Sequence, residues 1–143
     1  MERKWVGLLT GMALFCGSLL NGCGSGPGAG DARMVFEDTI PCADCPGIIM
    51  NVQFDTATHS YIRTMTYLEA TDSENDATFT SKGAYKTEKG YKGDENVLLY
   101  VLEGSPSGGE QVFLAEGDSA ITALDGNREI IRSQLNFTLR KKE

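Results

Sequence analysis

From Met34 onward the chain alternates apolar and polar residues at a period of two, in short runs separated by turn residues. Ile48, Met50, Val52 and Phe54 interleave with Ile49, Asn51 and Gln53, the pattern of a strand with one buried face. Asp55-Thr56-Ala57-Thr58 reads as a turn, after which Tyr61, Arg63, Met65 and Tyr67 share one face and Ser60, Ile62, Thr64 and Thr66 the other. The polar, acidic stretch from Glu69 to Asp76 predicts a loop. Thr78 to Thr87 predicts a strand around Phe79 and Tyr85. Val97–Leu102, Gln111–Ala115 and Ala120–Leu124 are apolar runs, and Asp125-Gly126 supplies a turn where glycine accepts positive φ. Leu135, Phe137 and Leu139 are then expected to face inward against Asn136, Thr138 and Arg140.

No long stretch has the 3.6-residue period of a helix. About eight short strands at even spacing predict an all-β fold. A small antiparallel up-and-down β-barrel hides its strand edges by closing on itself, and a β-sandwich is the alternative, since both alternate inward and outward. A barrel of this size is either filled by side chains or holds one small ligand.

The amino terminus differs in kind. Arg3 and Lys4 precede an apolar run from Trp5 to Leu20, too short for a permanent membrane helix and suited to a secretory signal. Leu20-Asn21-Gly22-Cys23 has the spacing of a bacterial lipobox, with the thiol of Cys23 as the lipidation site. Three acyl chains on that cysteine would anchor it firmly, where one chain binds a membrane only marginally. Gly24, in place of an aspartate, points to the outer membrane by the general sorting rule for such anchors, facing the periplasm or the cell surface. The expected organisation is therefore a signal peptide over 1–22, the lipidated cysteine and a Gly-rich tether over 23–33, and one β-domain over 34–143. Cys16 leaves with the signal.

Charge narrows the function further. The chain has 20 acidic and 13 basic side chains; loss of Glu2, Arg3 and Lys4 with the signal leaves 19 against 11. So negative a surface repels phosphate backbones, and no nucleic-acid partner is expected.

Chemistry concentrates at Cys42-Ala43-Asp44-Cys45, which holds the two cysteines that neither leave with the signal nor take lipid. A Cys-x-x-Cys pair serves redox catalysis, metal binding or a structural disulfide. Dithiol catalysts place the first cysteine at a helix N-terminus, but here Pro46-Gly47 leads into a β-run and Asp44 adds a like charge beside any thiolate. Zinc lacks a fourth ligand, because only His59 remains to join the two cysteines. Cuprous ion is soft and tolerates low coordination, so Cys42 and Cys45 could hold Cu+ with Met50 as an additional sulfur ligand. An oxidising envelope favours a disulfide instead. Both readings stand.

The lipobox, the tether, Pro41-Cys42-Ala43-Asp44-Cys45-Pro46-Gly47-Ile48, the Tyr61 strand and the late Leu124-Asp125-Gly126 and Leu135-Asn136-Phe137-Thr138-Leu139 segments together resemble the amino-terminal domain of the NlpE family of copper-resistance lipoproteins. The resemblance implies a lipocalin-related β-barrel, an outer-membrane lipoprotein, a link to copper tolerance, and signalling of envelope or surface-contact stress through an envelope sensor protein. The better-known form carries a second, carboxy-terminal domain, and this chain stops at Glu143, so nothing belonging to that domain is carried over. An alternative function is a lipocalin-like carrier of a small apolar ligand.

The remaining candidates read as structural. Asp72, Glu74 and Asp76 alternate like the start of a calcium loop, but Ala77 and Gly83 stand where that loop needs Gly and Glu. His59 is expected at the surface, Met50 and Met65 in the core, and Arg63 near the barrel mouth beside a carboxylate. One histidine and no nucleophile-base set predict that the protein is not an enzyme.

Overall fold

The computed structural model describes residues 32–69, 76–104 and 108–143. The signal, Cys23, most of the tether, and Asp72 and Glu74 lie outside the described residues. The described residues form a closed antiparallel barrel in which each strand pairs with its neighbours in sequence: β1 (Arg33–Ile40), β2 (Ile48–Asp55), β3 (Ser60–Tyr67), β4 (Ala77–Tyr91), β5 (Asp94–Leu102), β6 (Gln111–Glu116), β7 (Ala120–Ala123) and β8 (Thr138–Lys141). Closure comes from β1 against β8, through Phe36 opposite Lys141 and Glu37 opposite Arg140. The barrel, not the sandwich, is the architecture. Every strand pairing among the described residues lies within 33–141, so a fragment spanning 24–143 holds this sheet.

Strict alternation makes β2 the clearest strand: Ile48, Met50, Val52 and Phe54 are buried and the residues between them are half-exposed. Phe54 is the hub of the interior, with Tyr85 edge-on and Tyr100 stacked, both at 4.8 Å, and Phe36 edge-on at 6.1 Å. Such aromatic contacts add to the burial each ring contributes. Leu102, Phe113, Ile121 and Leu139 complete the core with no exposed surface.

Local geometry closes the hairpins. Between β4 and β5, Lys92 and Gly93 take φ of 50° and 88°, so that Tyr91 and Asp94 pair across a two-residue loop that needs positive φ at both positions. After β7, the Asp125 carboxylate accepts the N–H groups of Asn127 and Glu129, both at 2.8 Å, which shapes a turn at the expected place, but the positive φ falls on Arg128 at 60° and not on Gly126.

Two expectations need correction. Leu135 does not face inward: it lies in the connection before β8 and is 61% exposed, because the strand starts only at Thr138 and Leu139 supplies the buried contact. The sheet also begins at Arg33, inside the segment read as tether, and the Thr56 N–H donates to the Ala32 carbonyl at 2.7 Å.

The continuous apolar run of β5 has a plain cause. Leu98, Tyr100 and Leu102 point into the barrel, while Leu99 and Val101 point outward and pack with Val112 and Leu124 into a second cluster. The segment after β7 covers that outer wall, so β5 is buried on both faces.

Candidate functional site

Cys42 and Cys45 sit on the bend that joins β1 to β2 at one end of the barrel. They are joined as a disulfide, with Cα atoms 5.3 Å apart. The bend forms because Ile40 and Ile48 are the last pair of the β1–β2 ladder, which leaves seven residues to turn the chain with two prolines among them. Both cysteines are half-buried, Ala43 and Asp44 between them are exposed, and the chain leaves the bend directly into β2. No helix end is present among the described residues to lower a thiol pKa. Gly47 is buried here, and a Cβ on it would come within 2.7 Å of the Thr39 methyl group, so the bend lies tightly against β1.

The other candidate metal ligands lie elsewhere. Met50 is buried on the inner face of β2, opposite Met65 of β3, and both belong to the interior cluster. His59 is exposed in the β2–β3 turn, at the opposite end of the barrel, with φ of 52° and its ring stacked on Tyr85 at 5.9 Å. Among the described residues no three acidic, histidine or cysteine side chains cluster in a way that could hold a metal. Asp76 accepts the Glu69 N–H at 3.0 Å and so ties the base of its loop. Reduced, the cysteine pair offers two soft sulfur donors, which fits a low-coordinate cuprous ion and does not fit a closed four-ligand site.

A second site was not legible in the sequence. The first half of β4 pairs with β3 (Ala77–Ala84 against Tyr67–Ser60) and the second half with β5 (Tyr85–Tyr91 against Leu102–Asp94). The strand changes partner at Ala84 and Tyr85. Beside its first half, between β3 and the start of β6, a cavity of about 550 Å³ enters the barrel, lined by Met50, Arg63, Met65, Tyr67, Phe79, Thr80, Ser81 and Gln111. Phe79 stands at the opening, 63% exposed and edge-on to Tyr67 at 5.7 Å. Arg63, only 7% exposed, donates from Nε to the Ser81 hydroxyl at 3.2 Å. It does not meet a carboxylate among the described residues, contrary to expectation: its neighbours in register are Val52 and Ser81. Deeper in the barrel, burial pushes the phenols of Tyr85 and Tyr100 above the ordinary tyrosine range.

The profile of the NlpE N-terminal domain matches residues 36–134, nearly the whole barrel and the cysteine bend with it. The chain belongs to the NlpE N-terminal domain family. Among solved structures, a protein from Shewanella oneidensis, provisionally described as a lipoprotein, superposes with a TM-score of 0.55 at 21% identity, over 78% of this chain and 90% of that one. That similarity concerns the fold. No curated protein sequence gives a significant match. Within the NlpE domain, the disulfide bend at one end and the cavity beside β4 are the two features that pure barrel packing does not require.

Proposed function

We propose that this NlpE-domain protein is a lipid-anchored envelope lipoprotein, held to the outer membrane through Cys23, that serves copper tolerance and reports envelope or surface-contact stress to a sensor protein. It acts by binding and not by catalysis. The observation that carries the reading is the Cys42–Cys45 pair on an end bend, close enough to close a disulfide and half-open to solvent. Oxidised, the sulfurs are tied to each other. Reduced, the same two atoms can take one cuprous ion, whose softness matches thiolate. Family membership supports the assignment, the lipobox at Leu20–Cys23 supports the anchor, and the Shewanella protein's description agrees with it.

The test is a cuprous titration of the reduced 24–143 fragment against a competing chelator. One equivalent is expected, lost in Cys42→Ser and in Cys45→Ser. Met50→Leu decides whether that thioether takes part. Absence of binding by the reduced wild-type fragment overturns the copper reading.

The cavity favours a second reading, carriage of a small ligand within the barrel. Its volume lies within the range of small-molecule sites.

A further inference from the structure

We propose that the cavity beside β4 binds a single-chain amphiphile with an anionic head, and that Arg63 holds the head. The inference rests on the carrier reading and adds what the carrier takes. Arg63 projects from the inner face of β3 and lines the cavity, yet is more than nine-tenths buried. Its guanidinium has five N–H donors. Among the described residues its contact to a protein acceptor is a single bond, Nε to the Ser81 hydroxyl, which carries no charge. Among the described residues none of the ion pairs involves Arg63.

The guanidinium faces a cavity open to solvent, and an arriving carboxylate or phosphate replaces water on it through short, paired, charge-assisted bonds. The rest of the wall specifies the other end of the ligand. Met50 and Met65 offer unbranched thioethers that adapt to an alkyl chain. Tyr67 and Phe79 form an aromatic rim where the chain would cross into solvent, a role that suits Phe79 as the one exposed phenylalanine or tyrosine among the described residues. A volume of about 550 Å³ suits one alkyl chain and not the two of a bilayer phospholipid.

The probes are dodecanoate, dodecyl phosphate and dodecanol, added below their aggregation limits to the 24–143 fragment and followed by calorimetry. Expected is binding of at least one of the anionic probes with about tenfold or greater preference over dodecanol, near one per chain. In Arg63→Gln the preference should vanish while dodecanol affinity stays within about twofold. Arg63→Lys, which keeps a cation at the same place, should retain a preference for the anion, and it is the variant to read should Arg63→Gln prove unstable. Loss of the preference in Arg63→Lys, or its survival undiminished in Arg63→Gln, overturns the role of Arg63. Tighter binding of one anion assigns the head as carboxylate or phosphate. Equal binding of all three wild-type probes overturns the anionic head and leaves the carrier reading intact. Binding of none overturns both.

Discussion

Gly83 shows how little room the wall of this barrel leaves at single positions. It faces Tyr61 across the β3–β4 ladder, and a Cβ there would lie 2.9 Å from the Glu103 carbonyl oxygen and 3.1 Å from the Tyr61 ring. The Tyr61 hydroxyl donates to that same carbonyl at 3.1 Å, so the ring cannot retreat without breaking the bond. Gly83→Ala is therefore expected to destabilise by about 1–3 kcal/mol through overpacking. Urea unfolding of the variant measures this, and an unchanged midpoint would show that the wall yields freely. In the sequence, Gly83 signals only a weak strand or a bulge. The ring it accommodates comes from another strand, which is why its purpose cannot be read locally. Arg63 teaches the same lesson: its inward face follows from alternation, but the hydroxyl beside it follows from the register of β3 on β4.

At the level of elements, a charged network clamps the outer surface. Arg128, in the turn after β7 with φ of 60°, donates to Glu88 of β4 at 2.7 Å and to Glu110 just before β6 at 2.6 Å. Lys86 reaches Glu110 at 3.2 Å and Glu88 at 3.5 Å. The Arg128 hydrogen bond is the largest cause holding each carboxyl below the ordinary glutamate range. The sign follows from linkage: these carboxyls bind protons less readily folded than unfolded. Their contribution is thus complete above the unfolded value of about 4.3 and is lost as pH falls through the lower folded values. Arg128→Ala should be less stable than wild type at pH 7, with the gap closing below about pH 4. A gap that persists undiminished at pH 3 would assign the loss to packing and not to charge. The pairs are exposed enough for added salt to weaken them. None of these partners could be paired from the sequence, since Glu88 and Arg128 lie far apart in the chain and meet only because the β7–β8 connection folds back over β5 and β6.

For the molecule as a whole, the barrel and its end bend are energetically separable. A disulfide that closes so short a loop adds at most about 2 kcal/mol on the loop-entropy estimate, while the interior around Phe54 spans all eight strands. Reduction is therefore expected to leave the β-signal in circular dichroism unchanged and to lower stability by no more than that amount. Cooperative unfolding on reduction would contradict it, and would make a redox-reporting bend impossible without loss of the fold. A bend that can open while the barrel stands is what a reporter of envelope conditions requires.

The sequence by itself determined most of the strands and, in β2 and β3, which side faces inward, because alternation at period two is local and burial on one face enforces it; it misplaced the start of β8, and the uniformly apolar run of β5 carried no such signal. It also placed Cys42 and Cys45 within bonding reach, since three residues of bent chain cannot separate them far. The tertiary structure alone decided how the strands are offset from one another. Closing eight strands into a barrel sets their stagger jointly, and that shared constraint makes β4 change partner at Ala84 and Tyr85. From that change come the cavity, the buried Arg63 and the exposed Phe79, features that depend on the register of residues far apart in the chain and that no single segment could encode.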